Sequence, residues 1–526
     1  MFKIIRNVII AVIALGLVCF ALAIAPNYHL NYAKDKINLL INNSNVTMVL
    51  RADVIIENNK VYLGQADIQN FFDDYIYYEE DYNLVIANNA TKIIEIKDFK
   101  NIEDTIYVSM NELDELYNIE VNYIEETKVV TIDSLDRMQQ KSSVSKDADV
   151  KSLEKFLSRT IDKLNAGDEF IYISSENGYA EIRTKNGRLG YIKEDKLGQI
   201  IMVRKAKVEE KSDLKEKINL VWDNYYSVAP DREGEIIEGL NVVSPSFFDV
   251  IDIDGNIYDK TDENYIAWAK QNGYKIWPML TNHELRIAET SVIMCDYMKR
   301  KALIENTLEM VEKYNLDGIN LDFEYMYQED VDMYSRLVIE LAPRLREKGV
   351  TLSVDVTAPD GSENWSLCFD RPAIANNSDY IVFMAYDQRG SDGPVGTIAG
   401  HDWVEVSLKK FLKDIKPEKI ILGIPFYTRE WEEQNGELIS SSTVDMKSID
   451  YLITPDIPRV WDENLKQYYS EYELNGYTYK IWLEEEESIK AKLQLIVDND
   501  LAGAGFWSKD REKPEIWNII KEMLNK

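Results

Sequence analysis

Leu316-Asp317-Gly318-Ile319-Asn320-Leu321-Asp322-Phe323-Glu324 decides how the C-terminal part of the chain is read. Side chains alternate along a strand, so Asn320, Asp322 and Glu324 share one face while Leu321 and Phe323 share the other. Putting two carboxylates and an amide together on a buried face is costly unless they are used. Two acids two residues apart on a strand also repel each other. That repulsion raises the pKa of one of them, so that it can donate a proton near neutrality.

Outward from this strand, apolar strand-like runs alternate with helical segments, the pattern of a parallel sheet with crossover helices. Eight strand candidates begin at Ile218, Leu240, Tyr274, Leu316, Val350, Tyr380, Lys419 and Gly503. Residues 216–526 therefore predict a TIM-type (β/α)8 barrel, in which catalytic groups sit at the C-terminal ends of strands. Glu324 falls at such an end. An insertion is expected at about 432–482, where YYSEYEL-NG-YTYKIWL carries a two-residue hairpin signal.

Here the sequence resembles glycoside hydrolase family 18, the chitinases and endo-β-N-acetylglucosaminidases. LDGINLDFE resembles that family's active-site signature, Met384-Ala385-Tyr386-Asp387 its sixth-strand motif, and Gly423-Ile424-Pro425-Phe426-Tyr427 with Arg429 and Trp431 its seventh. Gly503 to Trp507 is similar to its eighth strand. The resemblance implies substrate-assisted retention, an exception to the two-carboxylate scheme. In that scheme Glu324 is the catalytic acid and then the base, Asp322 orients the sugar's acetamide, and Tyr386 donates to the acetamide oxygen. Asp387 helps order the site and Trp507 forms the floor beneath the sugar. Asn320, Met384, Tyr427 and Trp431 complete the expected substrate-binding set, and Asp317 supports the strand end. The family often carries Asp where Asn320 stands, and an amide there hydrogen-bonds without titrating. The implied substrate is an N-acetylglucosamine-containing polysaccharide, peptidoglycan or chitin, within the cell-wall and spore-cortex branch of the family; the alternatives to a peptidoglycan hydrolase are a chitinase or chitooligosaccharide hydrolase and a non-catalytic cell-wall sugar-binding protein.

The first two hundred residues read as smaller pieces. A 45-residue repeat matches VYLGQADI (Val61–Ile68) to IYVSMNEL (Ile106–Leu113) and YYEEDYNLVI (Tyr77–Ile86) to NYIEETKVVT (Asn122–Thr131). Each unit predicts strand, short helix, then two strands. Residues 46–135 are thus expected to form a small α+β domain resembling the N-terminal domain of copper amine oxidases, without copper ligands. Gln139 to Lys151 is polar and reads as a linker. Residues 155–206 carry short strands punctuated by Asn177-Gly178 and Asn186-Gly187, and resemble a bacterial Src-homology-3-type small β-barrel. Lys205 to Lys217 reads as a second charged linker.

At the start, Val8 to Ala25 is uncharged and follows Lys3 and Arg6. As a helix it would span ~27 Å, so residues 1–26 are expected to anchor the chain in the cytoplasmic membrane with the rest outside. A cleaved signal peptide is the rival reading, since Ala23-Ile24-Ala25 mimics a cleavage site. Asp and Glu outnumber Lys and Arg by 92 to 60, a net charge of −32 that would repel nucleic acid. Cys19, Cys295 and Cys368 make no disulfide framework, and His29, His283 and His401 show no metal-ligand spacing, so neither metal nor cofactor is expected.

Overall fold

The computed structural model describes residues 32–525 except 34, 73–74, 156 and 206–215. The apolar run Val8–Ala25 and most of the Lys205–Lys217 stretch lie outside the described residues. Two compact units divide the chain, one reaching to Lys211 and the other running from Ser212 to the C-terminus, with residues 90–92 assigned to the second.

The second unit is the barrel. Its strands are β1 (Ile218–Asp223), β2 (Val242–Pro245), β3 (Lys275–Ile276 and Met279–Thr281) and β4 (Gly318–Asp322). The remaining strands are β5 (Thr351–Val356), β6 (Tyr380–Met384), β7 (Ile420–Pro425) and β8 (Gly503–Trp507). Each pairs in parallel with the next, and β8 returns to β1 through Ile218↔Gly503 to Trp222↔Trp507, which closes the ring. Pro278 has no N–H to give a ladder and interrupts β3. The first half of β3 pairs with β2, the second with β4. At the start of β4 the backbone passes so close to Trp277 that a Cβ on Gly318 would lie 2.4 Å from the ring. Only glycine fits there.

The run from Leu240 is not one strand. After β2 the chain turns, and Phe248–Val250 forms a separate short strand paired with β3 and with Ile257–Asp259.

Crossover helices cover the ring. They are α1 (Glu263–Gln271), α2 (Ile287–Cys295), α3 (Tyr297–Tyr314), α4 (Val331–Glu347), α5 (Arg371–Asn377), α6 (His401–Phe411), α7 (Glu486–Asp498) and α8 (Ile516–Leu524). Ile319, Leu321 and Phe323 of the β4 segment join Leu337, Val338, Leu341 and Leu345 of α4 in the layer between strands and helices. That leaves the polar face of β4 to the lumen, as the alternation predicts. Asp296 caps α3 by accepting from Lys299 N at 3.1 Å, and Asn315 ends it in the left-handed region with φ 49°. A wholly buried ion pair ties α3 to α4, with Arg300 donating to Glu340 at 3.1 and 3.0 Å.

Between β7 and α7 an antiparallel five-stranded sheet spans Tyr427 to Leu483, somewhat wider than the expected 432–482. Its hairpin Gln467–Leu474 with Tyr477–Leu483 turns at Asn475 and Gly476, both with positive φ, as the dipeptide predicts.

In the first unit the 45-residue repeat takes material form. Strand Lys60–Gly64, helix Gln65–Phe72 and strands Tyr75–Glu79 and Leu84–Asn88 are echoed by Thr105–Ser109, Asp114–Tyr117, Ile119–Ile124 and Val129–Ser134. Strand Asn38–Ile41 pairs in parallel with Val129–Ile132, so this fold begins before residue 46. The expected linker is not a linker. Gln139–Ser143 and Ala148–Lys151 are strands of a seven-stranded sheet that continues to Ile201–Arg204. Val144, Ala148 and Val150 are buried in its core. Backbone pairing needs no apolar side chains, and three buried apolar residues suffice to hold this polar stretch in place.

Candidate active site

Strand β4 sets the site from the inside out. Asn320 lies deepest and is wholly buried. Its Oδ1 accepts from Trp222 Nε1 at 2.7 Å and Ser244 Oγ at 3.1 Å, and its Nδ2 donates to Ser353 Oγ at 3.1 Å and Asp355 Oδ1 at 2.7 Å. All of its hydrogen-bonding capacity is used within the barrel, so Asn320 is not at the cleft surface. That corrects its expected place among the substrate-binding residues. Its position is one pleat repeat too deep.

Asp322 comes next, 3% exposed, and its Oδ1 has no hydrogen-bond partner among the described residues. Burial, reinforced by the charge of Glu324, pushes its carboxyl up to about 7, while His283 pulls the other way. Burial, with Asp322 adding to it, also drives Asp355 well above the usual carboxylate range.

Glu324 is half-buried just beyond the end of β4. Its backbone is clamped by Asn282, which accepts from Glu324 N at 2.9 Å and donates to Glu324 O at 2.9 Å. Asn282 in turn donates to Thr290 at 3.2 Å. The following residue, Tyr325, turns out of the strand with φ 50° and presents an exposed ring to Trp365, centroids 4.8 Å apart. His283 Nε2 lies 3.9 Å from Glu324 Oε2. That contact, opposed by burial, raises the imidazole to about 9. Donor atoms of His283, Asp322 and Glu324 all lie within 4.8 Å of one another, although spacing in the sequence had set His283 apart.

These groups open into a cleft of about 470 Å³. Asp322, Glu324, Met384, Tyr386, Asp387 and Trp507 of the expected set line it. Tyr386 and Trp507 both pack against Trp222, the tryptophan under Asn320. Besides Asn320, two expected residues do not line it. Trp431 is wholly buried and donates from Nε1 to Gly396 O at 2.8 Å. Tyr427 is buried behind Asp387, donating to Asp387 Oδ1 at 2.6 Å. Both act on the wall from behind. Asp387 is pushed up by burial and held back in part by that hydroxyl.

His283, Asp355, Trp365, Arg389 and Trp403 also line the cleft and were not anticipated. Asp355 could have been found, because Ser353 and Asp355 alternate with Leu352 and Val354 on β5 as the acids do on β4. His283, Trp365 and Arg389 stand in loops, where no period marks them, and Trp403 lies on α6.

A closed (β/α)8 barrel with two acids within 4.8 Å of each other at the top of β4 and aromatic walls around them is the architecture of a glycoside hydrolase. More narrowly, the chain belongs to the glycosyl hydrolases family 18, whose sequence profile matches residues 225–512. It is similar to the Bacillus subtilis protein called uncharacterized glycosylase YvbX, 25% identical over 294 residues, which are 54% of this chain and 84% of that one. It is also similar to the cortical fragment-lytic enzyme of Bacillus anthracis, 25% identical over 280 residues, 51% of this chain and 65% of the relative. Among solved structures, a chitinase from Chromobacterium violaceum superposes with TM-score 0.53 at 20% identity, covering 58% of this chain and 98% of its own. The Bacillus megaterium spore cortex-lytic enzyme SleL gives 0.51 at 21%, covering 62% and 77%. At these identities the structures speak to the fold alone.

Proposed function

We propose that this protein hydrolyses β-1,4 linkages at N-acetylglucosamine in peptidoglycan by substrate-assisted, retaining catalysis, outside the cell and held to the membrane by residues 1–26. The observation that carries this reading is the Asp322–Glu324 pair at the end of β4, sharing one cleft with Tyr386 and Trp507. Glu324 protonates the leaving glycosidic oxygen while the sugar's acetamide oxygen attacks the anomeric carbon. The oxazolinium ion that forms is then opened by water, which Glu324 deprotonates. Asp322 holds the acetamide N–H. A carboxyl raised to about 7 passes readily between neutral and anionic forms as positive charge grows on that group. Tyr386 donates to the acetamide oxygen, Asp387 orders the wall, and Trp507 supplies a face for the sugar's C–H-rich side.

The similarity to the cortical fragment-lytic enzyme and the apolar run Val8–Ala25 favour a wall polymer over chitin. The reading is tested by incubating purified residues 27–526 with peptidoglycan and with chitin and identifying the released reducing ends. Release of reducing N-acetylglucosamine ends from peptidoglycan in preference to chitin supports it; the reverse preference makes the protein a chitinase. A thiazoline analogue of N-acetylglucosamine mimics the oxazolinium ion and should inhibit competitively. Indifference to the analogue refutes substrate assistance.

A further inference from the structure

The cleft lies in a chain of net charge −32, and Asp322, Glu324, Asp355, Asp360 and Asp387 all face it. Against that background His283 is engaged with Glu324, and a second cation stands out. Arg389 lines the same cleft, is exposed, and makes no ion pair or hydrogen bond among the described residues. The mechanism above gives it no task.

Its position is nonetheless built. Arg389 sits in the loop between β6 and α6, and that loop is pinned at both ends and from behind. Gln388 N donates to Ile398 O at 2.8 Å, and Gly400 N donates to Gln388 Oε1 at 3.1 Å. From the inserted sheet, the buried Trp431 donates to Gly396 O at 2.8 Å and Ser441 Oγ donates to Ser391 O at 2.9 Å. The Arg389 stem runs past Gly396, where a Cβ would lie 3.4 Å from Arg389 Cγ and Nε. A side chain there would crowd the stem. The insertion thus braces the loop, and the loop presents an uncommitted guanidinium beside the acids.

Resting on the hydrolase reading above, we propose that Arg389 is a specificity residue that pairs with a carboxylate carried by the polymer. A planar guanidinium binds a carboxylate through two parallel hydrogen bonds, and it stays charged at any working pH. Chitin has no such group. Peptidoglycan has them, on its stem peptides and on those lactyl ethers that carry no stem. An anionic substrate approaching a chain of net charge −32 is otherwise repelled, and Arg389 offsets that repulsion at one point along the glycan. The residue selects polymer; it does not take part in bond cleavage.

The test compares the full chain with Arg389→Met and Arg389→Lys on three soluble substrates of matched length. These are peptidoglycan fragments, the same fragments with carboxyls reduced to alcohols, and chitooligosaccharides. Arg389→Met should lower kcat/KM on the carboxylate-bearing fragments about tenfold more than on either neutral substrate, mostly through KM. Arg389→Lys should recover part of the loss. Equal losses on all three substrates overturn the proposal, as does a loss that persists on reduced fragments. Binding of the same fragments to Glu324→Gln, with and without Arg389→Met, gives a readout that needs no turnover. If Arg389→Met leaves that affinity unchanged, the proposal fails even where hydrolysis is intact. If affinity falls while no variant hydrolyses anything, carboxylate recognition stands and the hydrolase reading fails.

Discussion

Replacing Asp322 with Asn should remove a pH-dependent destabilisation of the barrel. The carboxyl ionises near 3.8 when solvated and near 7 in the fold, because burial and Glu324 both oppose its charge. Between those values the folded chain holds a proton that the unfolded chain has released. The stability contributed by this group is therefore complete below about pH 4 and falls as pH rises, levelling off above about pH 7. Three units at ~1.4 kcal/mol each set the whole effect at about 4 kcal/mol, of which about 2–3 kcal/mol should disappear between about pH 5 and about pH 8. An amide does not titrate and shows none of this. His283, raised to about 9 by Glu324, adds stability that is lost over a higher window. It is half exposed, so its share is small, and it remains in the variant. All ten tryptophans lie at Trp222 or beyond, so their fluorescence during urea unfolding reports the barrel alone. Wild type should lose about 2–3 kcal/mol more than Asp322→Asn across that range. Parallel pH profiles for the two proteins would refute the reasoning, because Asp322 would then not be held protonated by the fold.

Other consequences are equally concrete. Asn282→Ala removes both bonds that fix the Glu324 backbone and should cost about 1–3 kcal/mol of barrel stability by urea unfolding. Its kcat should fall by about an order of magnitude or more, with KM less affected, since the acid is misplaced rather than lost. Arg300→Met should destabilise the barrel by about 3–5 kcal/mol, because Glu340 is left charged and buried. Adding Glu340→Leu should recover most of that loss, and a double variant no better than the single would contradict the pairing.

How much of this was legible before the fold was known differs by element. Period-two alternation in LDGINLDFE exposes Asp322 and Glu324 because a strand has only two faces, and apolar Leu321 and Phe323 identify the outer one. Depth along the strand is not encoded in that period, so the pattern sets Asn320 among the substrate-binding residues although it lies beneath them. Trp431 and Tyr427 were misplaced for a related reason. An aromatic near a strand end packs behind a wall as readily as it forms one, and only the inserted sheet decides which. His283 and Arg389 reach the cleft from loops whose path depends on Pro278, the inserted sheet and their own backbone turns. The polar stretch Gln139–Lys151 reads as a linker because its strands are held by few apolar contacts and by hydrogen bonds to neighbouring strands, which composition does not register.

The central claim is that Glu324 is the proton donor of a glycosidase. The most direct test is release of reducing sugar ends from peptidoglycan and chitin by wild type beside Glu324→Gln, with the fold of both checked by tryptophan fluorescence. Wild type should release ends, and the variant should lose at least ~10²-fold in rate. A folded Glu324→Gln protein that releases ends at the wild-type rate would contradict the claim.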